Sequence, residues 1–83
     1  MDNVRLRVGS NLRRLREGRG LSQEALAFEC GLHRTYISGV ERGVRNPTVV
    51  VLEKMANALG AQAHELLLSV EAGGDERASG KRK

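Results

Sequence analysis

Side chains that can form several hydrogen bonds are concentrated in one short segment of the sequence, from His33 to Ser38. Arg34 carries a planar guanidinium that can donate two parallel hydrogen bonds, and the hydroxyl groups of Thr35 and Ser38 can both donate and accept. This chemistry suits the recognition of an anionic, hydrogen-bonding partner. It is not by itself the chemistry of a covalent reaction.

The residues that enzymes commonly use are few and scattered. His33 and His64 are 31 residues apart, and no carboxylate and nucleophile accompany either of them in a triad arrangement. Cys30 is expected at a helix position that faces the core, where a thiol is inert. The sequence contains no metal-ligand spacing and no phosphate-binding glycine loop. It therefore predicts a protein that is not an enzyme and that binds no cofactor or metal.

The excess positive charge lies in the first half of the chain. Residues 1–46 contain nine Lys/Arg and five Asp/Glu, which gives +4, and residues 47–83 contain five of each, which gives zero. All nine of these cations are arginine, whose forked guanidinium matches phosphate oxygens and guanine edges. A one-sided basic surface suits a polyanionic partner, and the same charge would also serve as a solubilising face.

A chain of 83 residues is long enough for one domain, which we expect to cover residues 1–70. Residues 71–83 contain no apolar side chain larger than alanine and are expected to form a disordered, glycine-rich basic tail. A single cysteine and the lack of a signal-like segment favour the reducing cytoplasm. The longest aliphatic stretches, residues 49–52 and 66–68, are far too short to span a bilayer.

Apolar residues recur at helical spacing along the chain, as in the stripe formed by Val8, Leu12 and Leu15. Alternation with a period of two is missing, which argues against strands. Ser22 and Thr48 are good N-caps, and glycines stand where helices should end. The sequence predicts an all-α fold, a compact five-helix bundle, with helices over about residues 4–17, 23–30, 33–42, 48–59 and 63–70.

Each helix after the first is expected to bury its own set of apolar side chains against a shared core. The expected inward residues are Leu26, Ala27 and Cys30 on the second helix; Tyr36, Ile37 and Val40 on the third; Val49, Leu52, Met55, Ala56 and Leu59 on the fourth; and Leu66, Leu67 and Val70 on the fifth.

The spacing of small and aliphatic residues over residues 22–42 is typical of a helix-turn-helix. Ala27 is small enough to let two helices cross closely, and Gly31, four residues later, can adopt the positive φ that a tight turn requires. Ile37 and Val40, six and nine residues beyond Gly31, would anchor the second helix. The alternative is a generic small helical bundle.

Three segments carry a resemblance to a known family: LSQEALA at residues 21–27, GLHRTYIS at residues 31–38 and ERG at residues 41–43. Together they resemble the lambda-repressor-like, XRE-type family of DNA-binding domains, and the similarity covers about residues 7–68. Gln62 is a departure, since the family often has a better N-cap at this position.

A narrower resemblance lies in RTYISGVER at residues 34–42 with the following Arg45 and Asn46. This stretch is similar to restriction-modification controller proteins, which are small dimeric regulators of their own promoter and of an endonuclease gene. Prophage repressors and antitoxins share much of the motif. The glycine-rich tail is not part of the pattern.

The resemblance implies that the N-terminal part of the third helix reaches base edges in the major groove. Arg34 is expected to pair with guanine, with a phosphate contact as the alternative. Thr35 would bond a base or touch a thymine methyl, or would only help the helix to start, and Ser38 lies one turn further on the same side. His33 is either the N-cap or a minor contact. The ring of Tyr36 either packs in the core or also sends its hydroxyl to the DNA.

Other family positions are expected to hold the DNA backbone or to stabilise the fold. Gln23 matches the position that grips a phosphate at the start of the second helix. Arg42, Arg45 and Asn46 surround the next loop and are expected to contact phosphates or a narrow minor groove, the alternative being a solvated loop. A salt bridge between Arg16 and Glu41 is also implied, as structure rather than as binding.

Gly39 lies in the middle of the third predicted helix, next to Ser38. Two explanations remain open. The missing side chain lets the helix sit close to DNA, or the glycine is a tolerated defect that costs about 0.5–1 kcal/mol relative to alanine.

The expected partner is double-stranded DNA, read as a near-palindromic operator by a homodimer. Leu67, Leu68 and Val70, with Val50 and Val51, are expected to form the dimer surface, the alternative being an overfilled core. The function expected is a dimeric controller of a restriction-modification operon, with a contact to RNA polymerase and none to a membrane. The alternative function is an antitoxin or another protein-interaction adaptor on the same fold.

Overall fold

The structure is a computed structural model that describes residues 3–69. Over this range the chain forms α1 (Val4–Gly18), α2 (Gln23–Cys30), α3 (Arg34–Glu41), α4 (Val49–Ala58) and a 3₁₀ helix (Ala63–Leu67). The described part contains no strand, so the predicted all-α class is confirmed. The predicted tail, residues 71–83, lies outside the described residues, as does Val70.

The predicted fifth α-helix is wrong, because the element is a short 3₁₀ helix that ends at Leu67. The side-chain amide of Asn11 donates hydrogen bonds to the carbonyl oxygens of Leu66 at 3.0 Å and Leu68 at 2.8 Å. These carbonyl groups are therefore bonded to α1 instead of to a further helical turn. Leu68 adopts an extended conformation, with φ −66° and ψ 145°, which ends the helix.

The predicted N-caps of α2 and α4 are confirmed. The hydroxyl of Ser22 accepts from the Ala25 N–H at 2.9 Å, and the hydroxyl of Thr48 accepts from the Val51 N–H at 3.2 Å. Gln62 is the N-cap residue of the 3₁₀ helix. Its backbone N–H donates to a carboxylate oxygen of Glu65 at 2.9 Å, and this bond stabilises the start of the helix.

One hydrophobic core joins all five elements. Its buried members are Val8, Leu12, Leu26, Ala27, Cys30, Ile37, Val40, Leu52, Met55, Ala56, Leu59 and Leu66. Val49 and Leu67 were expected to face inward and are instead 78% and 42% exposed. Val49 and Val50 at the start of α4 are exposed, and the buried positions of this helix begin at Leu52.

Gly9 fixes how closely α1 and α3 approach each other. A Cβ atom at this position would collide with the carbonyl oxygen of Val40 and would lie 2.6 Å from that of Glu41. The backbones of the two helices are therefore in direct contact, which only glycine permits. This contact holds the C-terminal end of α3 against α1 and leaves its N-terminal end directed outward.

Candidate nucleic-acid interface

The predicted helix-turn-helix is present in α2 and α3. Gly31 ends α2 with φ 70°, and the N–H of Leu32 donates to the carbonyl of Ala27 at 2.9 Å. Ile37 and Val40 bury one side of α3, as predicted. The turn and the buried stripe together determine which side of α3 faces solvent.

The first turn of α3 presents polar side chains to solvent. Arg34 and Thr35 are exposed, and Ser38 is partly buried one turn further along. Arg42 lies beside Ser38, because its Nε donates to the Ser38 hydroxyl at 3.3 Å. These four residues form one polar surface along α3.

His33 begins α3 through its backbone. Its carbonyl oxygen accepts from the N–H groups of Tyr36 at 3.0 Å and Ile37 at 3.2 Å. The imidazole makes no capping hydrogen bond, so the N-cap position is as predicted, but its side chain does not cap the helix. The exposed ring remains available at the tip of α3.

The loop after α3 folds back over the helix. The Val44 N–H donates to the Gly39 carbonyl at 2.9 Å, and the Gly43 N–H donates to the Val40 carbonyl at 3.0 Å. The guanidinium carbon of Arg45 consequently lies 5.8 Å from the centre of the Tyr36 ring, within the range of a cation–π contact. The fold thus brings the loop cation to the surface of α3.

Tyr36 and Asn46 occupy edges of this surface. Tyr36 is half-buried and packs against the core, while it also supports Arg45. Asn46 is exposed but borders a small apolar hollow that is also lined by Val4, Pro47 and Leu67. The structure therefore places Asn46 against α1 and α4 and not beside Arg34.

Gln23 has a partner that the sequence did not indicate. Its side-chain amide donates to a carboxylate oxygen of Glu41 at 3.1 Å. One amide N–H is thus engaged within the protein, and the start of α2 is tied to the end of α3. A DNA phosphate would meet the remaining amide N–H and the backbone N–H groups of the first turn of α2.

The Arg16–Glu41 salt bridge implied by the resemblance is confirmed. Nε of Arg16 lies 2.6 Å from one carboxylate oxygen and Nη2 lies 3.1 Å from the other, a bidentate pair. Nη1 also donates to the Leu21 carbonyl at 2.7 Å. The hydrogen bond with Glu41 raises the pKa of Arg16 above its ordinary value despite burial. The pair stabilises the fold and takes no part in the exposed surface.

Within residues 3–69, no cluster of His, Cys, Asp or Glu has the composition to hold a metal ion. None of the helices in that range is both long and apolar enough to cross a membrane.

Known proteins share both the sequence pattern and the fold. Residues 12–66 match the helix-turn-helix family. Control protein C.BamHI of Bacillus amyloliquefaciens is 51% identical over 67 residues, which cover 80% of this chain and 83% of that protein.

Two crystal structures also superpose well on the chain. The restriction-modification controller protein C.AhdI from Aeromonas hydrophila matches with a TM-score of 0.72 and 50% identity, over 75% of this chain and 90% of that one. The hypothetical transcription factor NHTF from Neisseria matches with a TM-score of 0.80 and 46% identity, over 83% of this chain and 79% of that one. With its exposed α3 and its buried Arg16–Glu41 pair, the chain belongs to the XRE-type, lambda-repressor-like family of helix-turn-helix DNA-binding transcriptional regulators.

Proposed function

We propose that the chain reads a specific duplex sequence with the first turn of α3 in the major groove. The observation that carries the proposal is the exposure of Arg34 and Thr35 at the outward end of α3, beside the cations Arg42 and Arg45. Arg34 would donate a bidentate pair to guanine, while Thr35 and Ser38 would contact neighbouring bases. His33 and Tyr36 lie at the margin of the same surface.

Backbone contacts would fix the register of α3 in the groove. Arg42 and Arg45 supply positive charge on one side, and Gln23 marks the N-terminus of α2 on the other. Asn46, against α1 and α4, would reach the phosphates beyond the loop. Each cationic contact would release counterions, so affinity would fall by about 0.9 log unit per log unit of salt for each one.

The chain would act as a homodimer on a near-palindromic operator. Val50, Leu67 and Leu68, here called the apolar patch, are 65%, 42% and 49% exposed. Leu67 shares the apolar hollow with Pro47, so it lies beside the start of α4, where Val50 is exposed. A second copy would cover this patch and place two α3 helices on one duplex. Val51 is half-buried against the core, so it contributes less to the apolar patch than the sequence suggested.

The biological role that fits best is control of a restriction-modification operon in the cytoplasm. Of the similar proteins, C.AhdI is named as a restriction-modification controller protein and C.BamHI as a control protein, and the chain covers most of the length of each. In this assignment residues 1–70 are the DNA-binding domain and residues 71–83 a tail outside it.

Selection of bound sequences from a random duplex pool tests the proposal. An enriched inverted repeat with guanine at one fixed position in each half is the expected result. A pool that stays random after repeated selection at low ionic strength would reject DNA reading and favour a protein-interaction adaptor.

A contact with RNA polymerase is supported by Phe28, which is 85% exposed on α2 and is therefore available to a protein partner. The Phe28→Ala variant is expected to bind operator DNA normally and to lose activation in a purified transcription assay. Equal transcription with the wild-type protein and with the Phe28→Ala variant would contradict a contact between Phe28 and RNA polymerase.

A further inference from the structure

Gly39 lies in the last turn of α3, and it is buried although glycine weakens a helix. A Cβ atom at this position would lie 2.7 Å from Cγ, 3.2 Å from Nε and 3.5 Å from Cδ of Arg45. All three of its nearest neighbours therefore belong to one side chain. The space above Gly39 is occupied by the stem of Arg45.

The Arg45 side chain is held there from two sides. The hydrogen bond from the Val44 N–H to the Gly39 carbonyl places the loop directly over the helix. The guanidinium then extends over the Tyr36 ring, three residues before Gly39 on the same helix. A bulkier residue 39 would leave the loop backbone intact but would displace the arginine stem.

We propose that Gly39 is a positioning residue for DNA binding, because its missing side chain forms a notch that seats Arg45 against α3 and the Tyr36 ring. This inference rests on the proposed function. A free arginine side chain has many rotamers, and ordering it on binding reduces affinity. The notch orders Arg45 before the DNA arrives and holds its guanidinium beside the groove-reading turn.

The two explanations that the sequence left open predict different behaviour. A glycine that lets DNA approach would matter whether or not Arg45 is present. A tolerated defect would not matter to DNA binding at all. A notch for Arg45 matters only while Arg45 is present.

A double-mutant cycle on the selected operator separates these cases. Gly39→Ala and Arg45→Ala are each expected to weaken binding about tenfold, the loss of roughly one charge-assisted contact. The double variant is expected to bind as the Arg45→Ala protein does.

Gly18→Ala is the matched control, since Gly18 is helical and a Cβ there meets nothing within 4 Å. It is expected to raise the unfolding midpoint and to leave DNA affinity unchanged. In the free wild-type protein, a nuclear Overhauser effect between Gly39 Hα and Arg45 Hγ is expected. In the Gly39→Ala protein the corresponding cross-peaks to Arg45 should weaken.

Three results would overturn the inference. Unchanged operator affinity in Gly39→Ala would show that the seat does not serve binding, while the proposed function would stand. An equal loss in the Arg45→Ala background would show that residue 39 meets the DNA itself. A wild-type protein that binds no duplex would reject the proposed function and this inference together.

Discussion

The cations around α3 differ in how firmly the protein holds them. Arg34 is exposed at the tip, Arg42 is bonded to Ser38, and Arg45 is seated over Tyr36. A side chain that must match a base edge needs freedom at the tip of the helix. A side chain that fixes register benefits from being held.

The first prediction concerns base reading by Arg34. The wild-type protein is compared on two duplexes, the selected operator and a variant in which another base replaces the paired guanine. Arg34→Ala is expected to reduce the difference in binding free energy between them by about 1–3 kcal/mol, because the bidentate contact is lost. Fluorescence anisotropy titrations with both duplexes measure it.

Arg42→Ala provides the comparison for this measurement. It is expected to weaken binding to both duplexes equally and to reduce the salt dependence, as loss of a phosphate contact does. A larger loss of discrimination in Arg42→Ala than in Arg34→Ala would reverse the two roles.

The second prediction concerns the thiol of Cys30. Burial raises its pKa, the charge of Glu29 adds to this effect, and Lys54 opposes it. The thiolate is therefore scarcer in the folded protein than in a free cysteine, and alkylation by iodoacetamide at pH 8 is expected to be much slower when native than in urea. Equal rates in the two conditions would show that the thiol is accessible and reactive.

Sequence reasoning placed Arg34 and Thr35 at the base-reading end of α3 through the resemblance to helix-turn-helix proteins, and both side chains are exposed in the structure. It did not predict that Gln23 bonds Glu41 or that Arg45 stacks on Tyr36. Both contacts depend on where distant backbone segments meet, which local periodicity does not encode. For the position of Arg45, Gly39 was the one available signal in the sequence. A glycine inside a helix, where it is buried, indicates that a neighbouring group occupies the place of its side chain.

At the scale of elements, α1 acts as the support for α3. Gly9 lets the two backbones touch, and the bidentate Arg16–Glu41 pair joins the same helices. The side chains of that pair are only 10% and 5% exposed. The removal of one partner would leave an unpaired charge in the interior.

The third prediction follows from this burial. Glu41→Ala is expected to lower the free energy of unfolding by about 3–5 kcal/mol, because Arg16 loses its partner where water cannot replace it. Urea denaturation monitored by circular dichroism measures the change.

Arg13→Ala is the control, because its ion pair with Glu17 is solvent-exposed on the same helix. It is expected to change stability by no more than about 0.5 kcal/mol. Similar losses in the two variants would mean that the buried pair contributes no more than a surface one.

The element that sequence reasoning misjudged was the last one. Three leucines in a row at residues 66–68 fit a helix, but the end of that helix is decided by Asn11, more than fifty residues earlier in the chain. A buried asparagine on α1 was indistinguishable in the sequence from an exposed one. The four α-helices have apolar residues at helical spacing, and Ser22 and Thr48 cap two of them, so their existence was predictable from the sequence.

At the scale of the whole molecule, the apolar patch of Val50, Leu67 and Leu68 is exposed in one copy of the chain, and it is the surface that we propose a second copy covers. The fourth prediction is that Leu67→Glu with Leu68→Glu converts a dimer into a monomer, because two buried charges would face each other across a two-fold axis. Analytical ultracentrifugation over a range of concentrations measures this.

Phe28→Ala is the control for this experiment, because it removes an apolar side chain that is more exposed than either leucine and lies outside the patch, and it should leave the dimer intact. A wild-type protein that stays monomeric at high concentration would reject the dimer. A Glu variant that still dimerises would place the contact elsewhere.

Methylation interference at guanine N7 tests the central claim most directly, because N7 lies in the major groove. On the selected operator, methylation of one guanine in each half-site is expected to block the wild-type protein and to have no further effect on Arg34→Ala. Wild-type binding that tolerates N7 methylation at every guanine of the operator, or interference that is identical in Arg34→Ala, would contradict the placement of the α3 tip in the groove.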